Sequence, residues 1–216
     1  MDRWTRRGFL ATTGGTLAAL TGCAGAENSD APFDHASTMG IADQPTLGSL
    51  DRSGVIVAFE DPSCTTCRRF NQNTFPQIEA DLVESGDAAY VFRGYPIIYP
   101  WGDPASHALE ATLDRDPRAM WALKTHYFDT QDQFSTENVL DRTAQFLTDE
   151  TEVDGTAVVN DVESDAYADT VQVDLDAGEA AGASSTPTFY LFRDGEYQTT
   201  VSGAQDFTVF ENVLRG

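Results

Sequence analysis

The chain has 216 residues, 41% hydrophobic and 22% charged, with 35 Asp plus Glu against 13 Lys plus Arg and a formal net charge of −22. That length is one domain of roughly 100–200 residues with something appended, and 11% aromatic content with 13 Phe is enough for a core, unlike acidic disordered chains. So negative a chain repels phosphate backbones and anionic lipid surfaces, which argues against nucleic acid as a partner.

At the N-terminus, Arg3, Arg6 and Arg7 precede an uncharged run from Gly8 to Gly22. The run falls short of the about 20 apolar residues that span a bilayer as a helix, and it suits the core of an export signal. Thr5-Arg6-Arg7-Gly8-Phe9-Leu10 resembles a twin-arginine export signal, and Leu20-Thr21-Gly22-Cys23 resembles a lipobox. Residues 1–22 are therefore expected to be a lipoprotein signal peptide and Cys23 the lipid attachment site; the alternative is that Cys23 is merely a small residue near a cleavage site. Cleavage before Cys23 removes three arginines and Asp2 and brings the net charge to −24. The expected location is extracytoplasmic, on the outer face of the cell membrane, where disulfides persist. Residues 23–46, small, polar and interrupted by Pro32, Gly40 and Pro45, are expected to form a flexible tether. Among the basic residues only Lys124 is Lys, and Asp outnumbers Glu by 23 to 12. This composition is similar to that of haloarchaeal proteins, which stay soluble in concentrated salt.

Val55 to Glu60 is a continuous β-prone apolar run, the pattern of a strand buried on both faces in an α/β sheet. It stops at Asp61-Pro62-Ser63. Cys64-Thr65-Thr66-Cys67 follows, and Phe70, Phe75, Ile78, Leu82 and Val83 then recur at helical spacing. Cys64 thus falls where a strand turns into the N-terminus of a helix, whose free N–H groups and dipole favour a thiolate. Cys67, within the first turn, lies close enough to bond to it and is the less exposed of the two. The pair therefore suits a nucleophile and its resolving partner. The alternatives are half a zinc site or a structural disulfide. Zinc needs about four ligands, and beyond the pair there remain only Cys23 and the scattered His35, His107 and His126. A disulfide closing so short a loop stabilises little through chain entropy. No metal and no cofactor are expected.

From about Leu47 onward the chain resembles the DsbA-like thioredoxin-fold oxidoreductases at three places. These are Phe59 to Phe70 with the redox pair, the helical stretch from Asp103 to Leu147 with its Trp121, His126 and Phe128, and the small-residue turn from Gly178 into Thr186-Pro187-Thr188-Phe189-Tyr190. The resemblance implies an α/β, thioredoxin-like fold: a central mixed sheet flanked by helices, with a helical insertion at about 104–182 between the two thioredoxin halves, all within a domain over 47–216. It also implies a cis Pro187 packed against the cysteines, and Thr186 offering backbone groups to a bound substrate. Apart from the resemblance, Pro187 opens a strand pattern, where proline is tolerated; Asp194-Gly195 signals a hairpin; and Phe207, Phe210, Val213 and Leu214 mark a closing helix.

The chain also departs from the family. Thr65-Thr66 lacks the His found in strongly oxidising relatives, so a less depressed Cys64 thiol is expected and the direction of electron flow stays open. The acid that many thioredoxin-fold proteins carry six residues before the first cysteine is here Ala58. Glu60, of the same strand parity, is the candidate substitute as proton acceptor, or else a solvated strand end. Tyr95 to Trp101 lines a substrate groove or covers a sheet edge. Trp121, Tyr127 and Phe128 read as core of the insertion, and His107 and His126 as packing or capping residues. The expected function is thiol:disulfide exchange on exported cysteine-containing proteins, with a membrane redox partner resetting the pair. Its alternatives are a dedicated thiol reductant and a peptide-binding lipoprotein with an inert disulfide.

Overall fold

The computed structural model describes residues 33–216, so the signal over 1–22, Cys23 and the start of the expected tether lie outside the described residues. Gly54–Glu60 forms strand β2 with every residue buried, as its unbroken apolar run requires. It pairs in parallel with β3 (Ala88–Gly94) and antiparallel with β4 (Thr188–Arg193); β5 (Glu196–Ser202) lies outside β4, and the short β1 (Thr46–Leu47) outside β3. The sheet order is β1-β3-β2-β4-β5.

Alternation along β2 divides the core in two. Ile56 and Ala58 face α1 (Thr65–Asn73), α2 (Phe75–Ile78) and the closing helix α8 (Phe207–Arg215). Val55, Val57 and Phe59 face the other side, with Tyr95, Tyr190 and Ala177 of α7 (Ala168–Ala181). Glu60 shares the parity of Ile56 and Ala58. Between β3 and β4 run α3 (Gly102–Leu113), α4 (Pro117–Asp129), α5 (Val139–Glu150), α6 (Gly155–Glu163) and α7. This is a mixed sheet flanked by helices, a thioredoxin-like α/β fold with helices inserted between its halves.

The flexible tether expected as far as residue 46 is corrected by this arrangement, because residues 33–46 pack onto the domain. Phe33 is buried with its ring 5.0 Å from that of Phe192, Ile41 is buried, and the His35 ring stacks on Tyr197 at 4.5 Å. The main chain is held as well, Phe92 N–H donating to the Pro45 carbonyl at 3.0 Å and Arg93 Nη2 to that of Met39. Two isolated apolar anchors, Phe33 ahead of the short 3₁₀ turn Ala36–Thr38 and Ile41 opening a second at Ile41–Asp43, fix this strap, and single anchors leave no periodicity to read.

Under the strap a charge cluster is buried. Arg93 Nη1 meets Asp174 Oδ1 at 2.6 Å, and Gly94 N–H donates to Asp174 Oδ2 at 3.0 Å. Glu110 lies nearby, its carboxyl pushed up to about 8 by burial and then by the charge of Asp174.

Candidate active site

Cys64 is the N-cap of α1, its backbone extended while the helix begins at Thr65. Its place is fixed from three sides. Its N–H donates to the Asp61 carbonyl at 3.0 Å, and Gln131 Nε2 donates to the carbonyls of Pro62 and Cys64 at 2.7 and 3.0 Å. Asp61 ties the turn together: its Oδ1 accepts from the amide and hydroxyl of Ser63 at 2.7 and 2.6 Å, and its Oδ2 from the amides of Ile97 and Ile98.

The two thiols are unbridged and differ in environment. Cys64 Sγ accepts from Cys67 N–H at 3.4 Å. Its pKa is pulled down to about 6, first by the Cys67 thiol and further by backbone amides of the helix start, against the opposing effect of burial. The Cys67 thiol is fully buried and pushed well above its ordinary value, by burial first and then by hydrogen bonding to Cys64 and the charge of Glu60. Thr186 and Pro187, 122 residues along the chain, meet the pair directly. The Cys64 thiol donates to the Thr186 carbonyl at 3.3 Å, and the Thr186–Pro187 peptide is cis.

Glu60 lies on the side of Cys67. It is completely buried, and Tyr90 OH donates to its Oε1 at 2.6 Å while Lys124 Nζ stands 3.2 Å from the same oxygen. Asn71 bridges this group to the pair, its Nδ2 donating both to Glu60 Oε2 and to the Cys67 carbonyl while its Oδ1 accepts from Lys124 Nζ at 2.6 Å. The ammonium also faces the rings of Phe75, Phe92 and Phe128 at 4.4 to 5.2 Å.

Cys64, Cys67, Thr186, Pro187 and Glu60 are thus brought together, whereas Cys23 lies outside the described residues. Sequence reading missed Lys124, Asn71, Tyr90 and Gln131 as parts of the site, and it placed Phe128 in the insertion core although its ring packs on the two cysteines. One signal was present: Trp121, Lys124 and Phe128, spaced by three and four residues, share one face of α4. Among the described residues no group of three or more His, Cys, Asp or Glu gathers as metal ligands would.

Comparison with known proteins agrees with this geometry. Disulfide bond formation protein D of Bacillus subtilis is 26% identical over 155 residues, which are 70% of this chain and 68% of that protein. The crystal structure of oxidised BdbD from Bacillus subtilis superposes with a TM-score of 0.72 at 24% identity, covering 82% of this chain and 95% of that one. Chlamydia trachomatis DsbA superposes with a TM-score of 0.66 at 21% identity, covering 80% and 88%. A family model described as thioredoxin matches residues 41–206. The chain belongs to the thioredoxin family, and it is a thiol:disulfide oxidoreductase with a DsbA-like fold.

Proposed function

We propose that the protein oxidises cysteine pairs in exported proteins outside the cytoplasmic membrane, where a lipid on Cys23 holds it after twin-arginine export. The observation that carries the oxidising direction is the asymmetry of the pair: a Cys64 thiol at about 6 beside a Cys67 thiol raised by burial. A thiolate stable at neutral pH stabilises the reduced protein and so makes its disulfide the stronger oxidant. The name of the Bacillus subtilis relative, disulfide bond formation protein D, supports the same direction.

In the reaction a substrate thiolate attacks Cys64 Sγ of the Cys64–Cys67 disulfide. The S–S bond breaks, Cys64 enters a mixed disulfide, and Cys67 leaves with the electron pair. Its raised pKa makes it take up a proton from solvent, and the Glu60 carboxylate, joined to the Cys67 main chain through Asn71, is the base positioned to accept that proton when Cys67 next acts as a nucleophile. The second substrate thiolate attacks the substrate sulfur of the mixed disulfide and releases Cys64 as a thiolate. Two substrate thiols become a disulfide and the protein becomes a dithiol, which a membrane redox partner reoxidises by accepting two electrons. The Thr186 carbonyl beside Cys64 and the Pro187 loop hold the extended substrate.

The test is oxidation of a reduced, unfolded cysteine-containing protein by the oxidised full chain in high salt, together with the potential of the pair against glutathione. Activity lost in Cys64→Ser and a potential above about −200 mV are expected. Undiminished activity in Cys64→Ser contradicts the reading, and a potential near the about −270 mV of thioredoxin makes the protein a reductant. For the anchor, Cys23→Ser is expected to move the protein from the membrane fraction to the medium.

A further inference from the structure

Of the 13 basic residues, Arg3, Arg6 and Arg7 lie outside the described residues, and among the other ten only Arg68 and Arg69 are adjacent in sequence. They fall in the first two turns of α1, directly after Cys67. The stretch around them, from Pro62 to Ile78, holds no Asp or Glu in a chain that has 35 of them among 216 residues. Arg68 N–H donates to the Cys64 carbonyl at 3.0 Å, which places its side chain one helical turn beyond the nucleophile on the same face of α1. Arg69 follows Thr65 at the same spacing, and both are exposed. The Arg68 guanidinium stands 3.7 Å from the carboxylate of Asp132, an ion contact without a hydrogen bond. Asp132 adjoins Gln131, whose amide holds the Cys64 carbonyl, so this guanidinium lies beside the nucleophile. Arg69 makes neither an ion pair nor a hydrogen bond with a described residue.

Guanidinium groups with free donors suit a carboxylate on the polypeptide whose sulfur is at Cys64. Arginine presents a planar fork that matches a carboxylate, and the charge-assisted bonds between them are among the stronger hydrogen bonds. An extended peptide advances about 3.3 Å per residue, so side chains one to three residues from a substrate cysteine come within reach of the first two turns of α1. Exported proteins adapted to the same concentrated salt share this chain's acidic composition. At about one acid in six residues, as here, most of their cysteines have Asp or Glu within three positions. The rest of the acidic surface repels such a chain, whereas beside Cys64 it meets two cations. Salt at 1 M shortens the Debye length to about 3 Å, which removes attraction at a distance and leaves groups in contact. Recognition therefore acts on the neighbours of the cysteine and not on the net charge of the substrate.

Building on the oxidoreductase reading above, we propose that Arg68 and Arg69 form a carboxylate-recognition point beside Cys64 that favours substrate cysteines flanked by Asp or Glu. The test measures, in concentrated salt, second-order rate constants of the oxidised full chain with uncharged dithiothreitol and with three short cysteine peptides flanked by Asp and Glu, by Asn and Gln, or by Lys. Rates are expressed per thiolate, because acidic flanks raise the thiol pKa. The parent is expected to prefer the acidic peptide to the neutral one about threefold, the scale of one or two exposed ion pairs, and to react slowest with the Lys peptide. In the double variant Arg68→Gln, Arg69→Gln the acidic-to-neutral ratio is expected to fall to near one. Neither arginine is among the causes that lower the Cys64 thiol, so the dithiothreitol rate of that variant should stay within about twofold of the parent and shows it folded with its redox pair intact. Asp132→Asn frees the Arg68 guanidinium and is expected to move the ratio the other way, upward. The proposal is overturned by a parent ratio below about 1.5, by a Lys peptide that reacts fastest, or by a ratio that the double variant keeps or Asp132→Asn fails to raise. It is equally overturned by a dithiothreitol rate that falls in step with the peptide rates, or by the same loss of ratio in the distant Arg118→Gln. A parent inert toward dithiothreitol and all three peptides refutes the oxidoreductase reading itself.

Discussion

Lys124→Met removes the ammonium that stands 3.2 Å from Glu60 Oε1, both side chains being almost completely buried. At that separation and an effective dielectric near 20 the attraction is about 5 kcal/mol. Desolvation of both ions offsets much of it while the pair is intact, so the ion pair itself adds little net stability. Removing one ion leaves the other buried and unpaired, at a cost of about 3–5 kcal/mol. Methionine nearly fills the lysine stem's volume, so cavity formation contributes little. The double variant Lys124→Met, Glu60→Gln removes both charges and is expected to recover most of that loss. Denaturant unfolding of the four proteins of this cycle reads the coupling, and because the pair is buried the result should hold in high salt. A Lys124→Met chain within about 1 kcal/mol of the parent, or a double variant no better than the single one, refutes the assignment of Lys124 as the counter-ion that holds the Glu60 carboxylate beside Cys67.

Three further outcomes follow from the same structure. The reduced protein should show a thiolate absorbance that titrates with a midpoint near 6, and the midpoint should rise in Cys67→Ala, since the Cys67 thiol is the first cause of the lowering. Because the pKa in the folded chain lies below the ordinary thiol value, the stabilisation of the reduced form is complete above about 9 and is lost as pH falls through 6. A midpoint above 8 refutes this. Glu110 shows the opposite sign: its carboxyl is raised from 4.5 to about 8, so the stability it contributes is present below 4.5 and lost as pH rises toward 8. Glu110→Gln should therefore match the parent near pH 4 and unfold at higher denaturant at pH 8.5, and equal midpoints at both pH values would contradict it. In Gly102→Ala the new Cβ collides with Asp61 Oδ1 and Ser63 Oγ, so a loss of about 1–3 kcal/mol and a slower Cys64 reaction are expected; unchanged stability and rate would show that the Asp61 turn does not position Cys64.

Much of the site was legible because its signals are local. The strand run, the breaker cluster and the cysteine spacing lie within about twenty consecutive residues, and the parity that put Glu60 on the face of Ala58 needs only the two-residue period of a strand. Whether Glu60 was buried could not be read, since its partners Tyr90, Asn71 and Lys124 come from β3, α1 and α4. Gln131 is equally remote, reaching 69 residues along the chain to the Pro62 carbonyl from a short turn with no apolar pattern. The strap at 33–46 was misread for another reason: Phe33 and Ile41 are buried as single anchors, while the polar residues between them give the segment the composition of a linker. Tyr95 to Trp101 is split in a way that an uncharged aromatic run does not announce, its ends Tyr95 and Trp101 buried and Ile97, Ile98 and Tyr99 between them exposed.

The division of labour between the cysteines is the central claim, and a brief pulse of iodoacetamide on the reduced full chain at pH 7, followed by peptide mass mapping, tests it most directly. Carbamidomethyl label is expected on Cys64 and absent from Cys67, because the first is a thiolate at that pH and the second is buried and protonated. Label shared equally between the two, or confined to Cys67, would contradict the assignment of Cys64 as nucleophile.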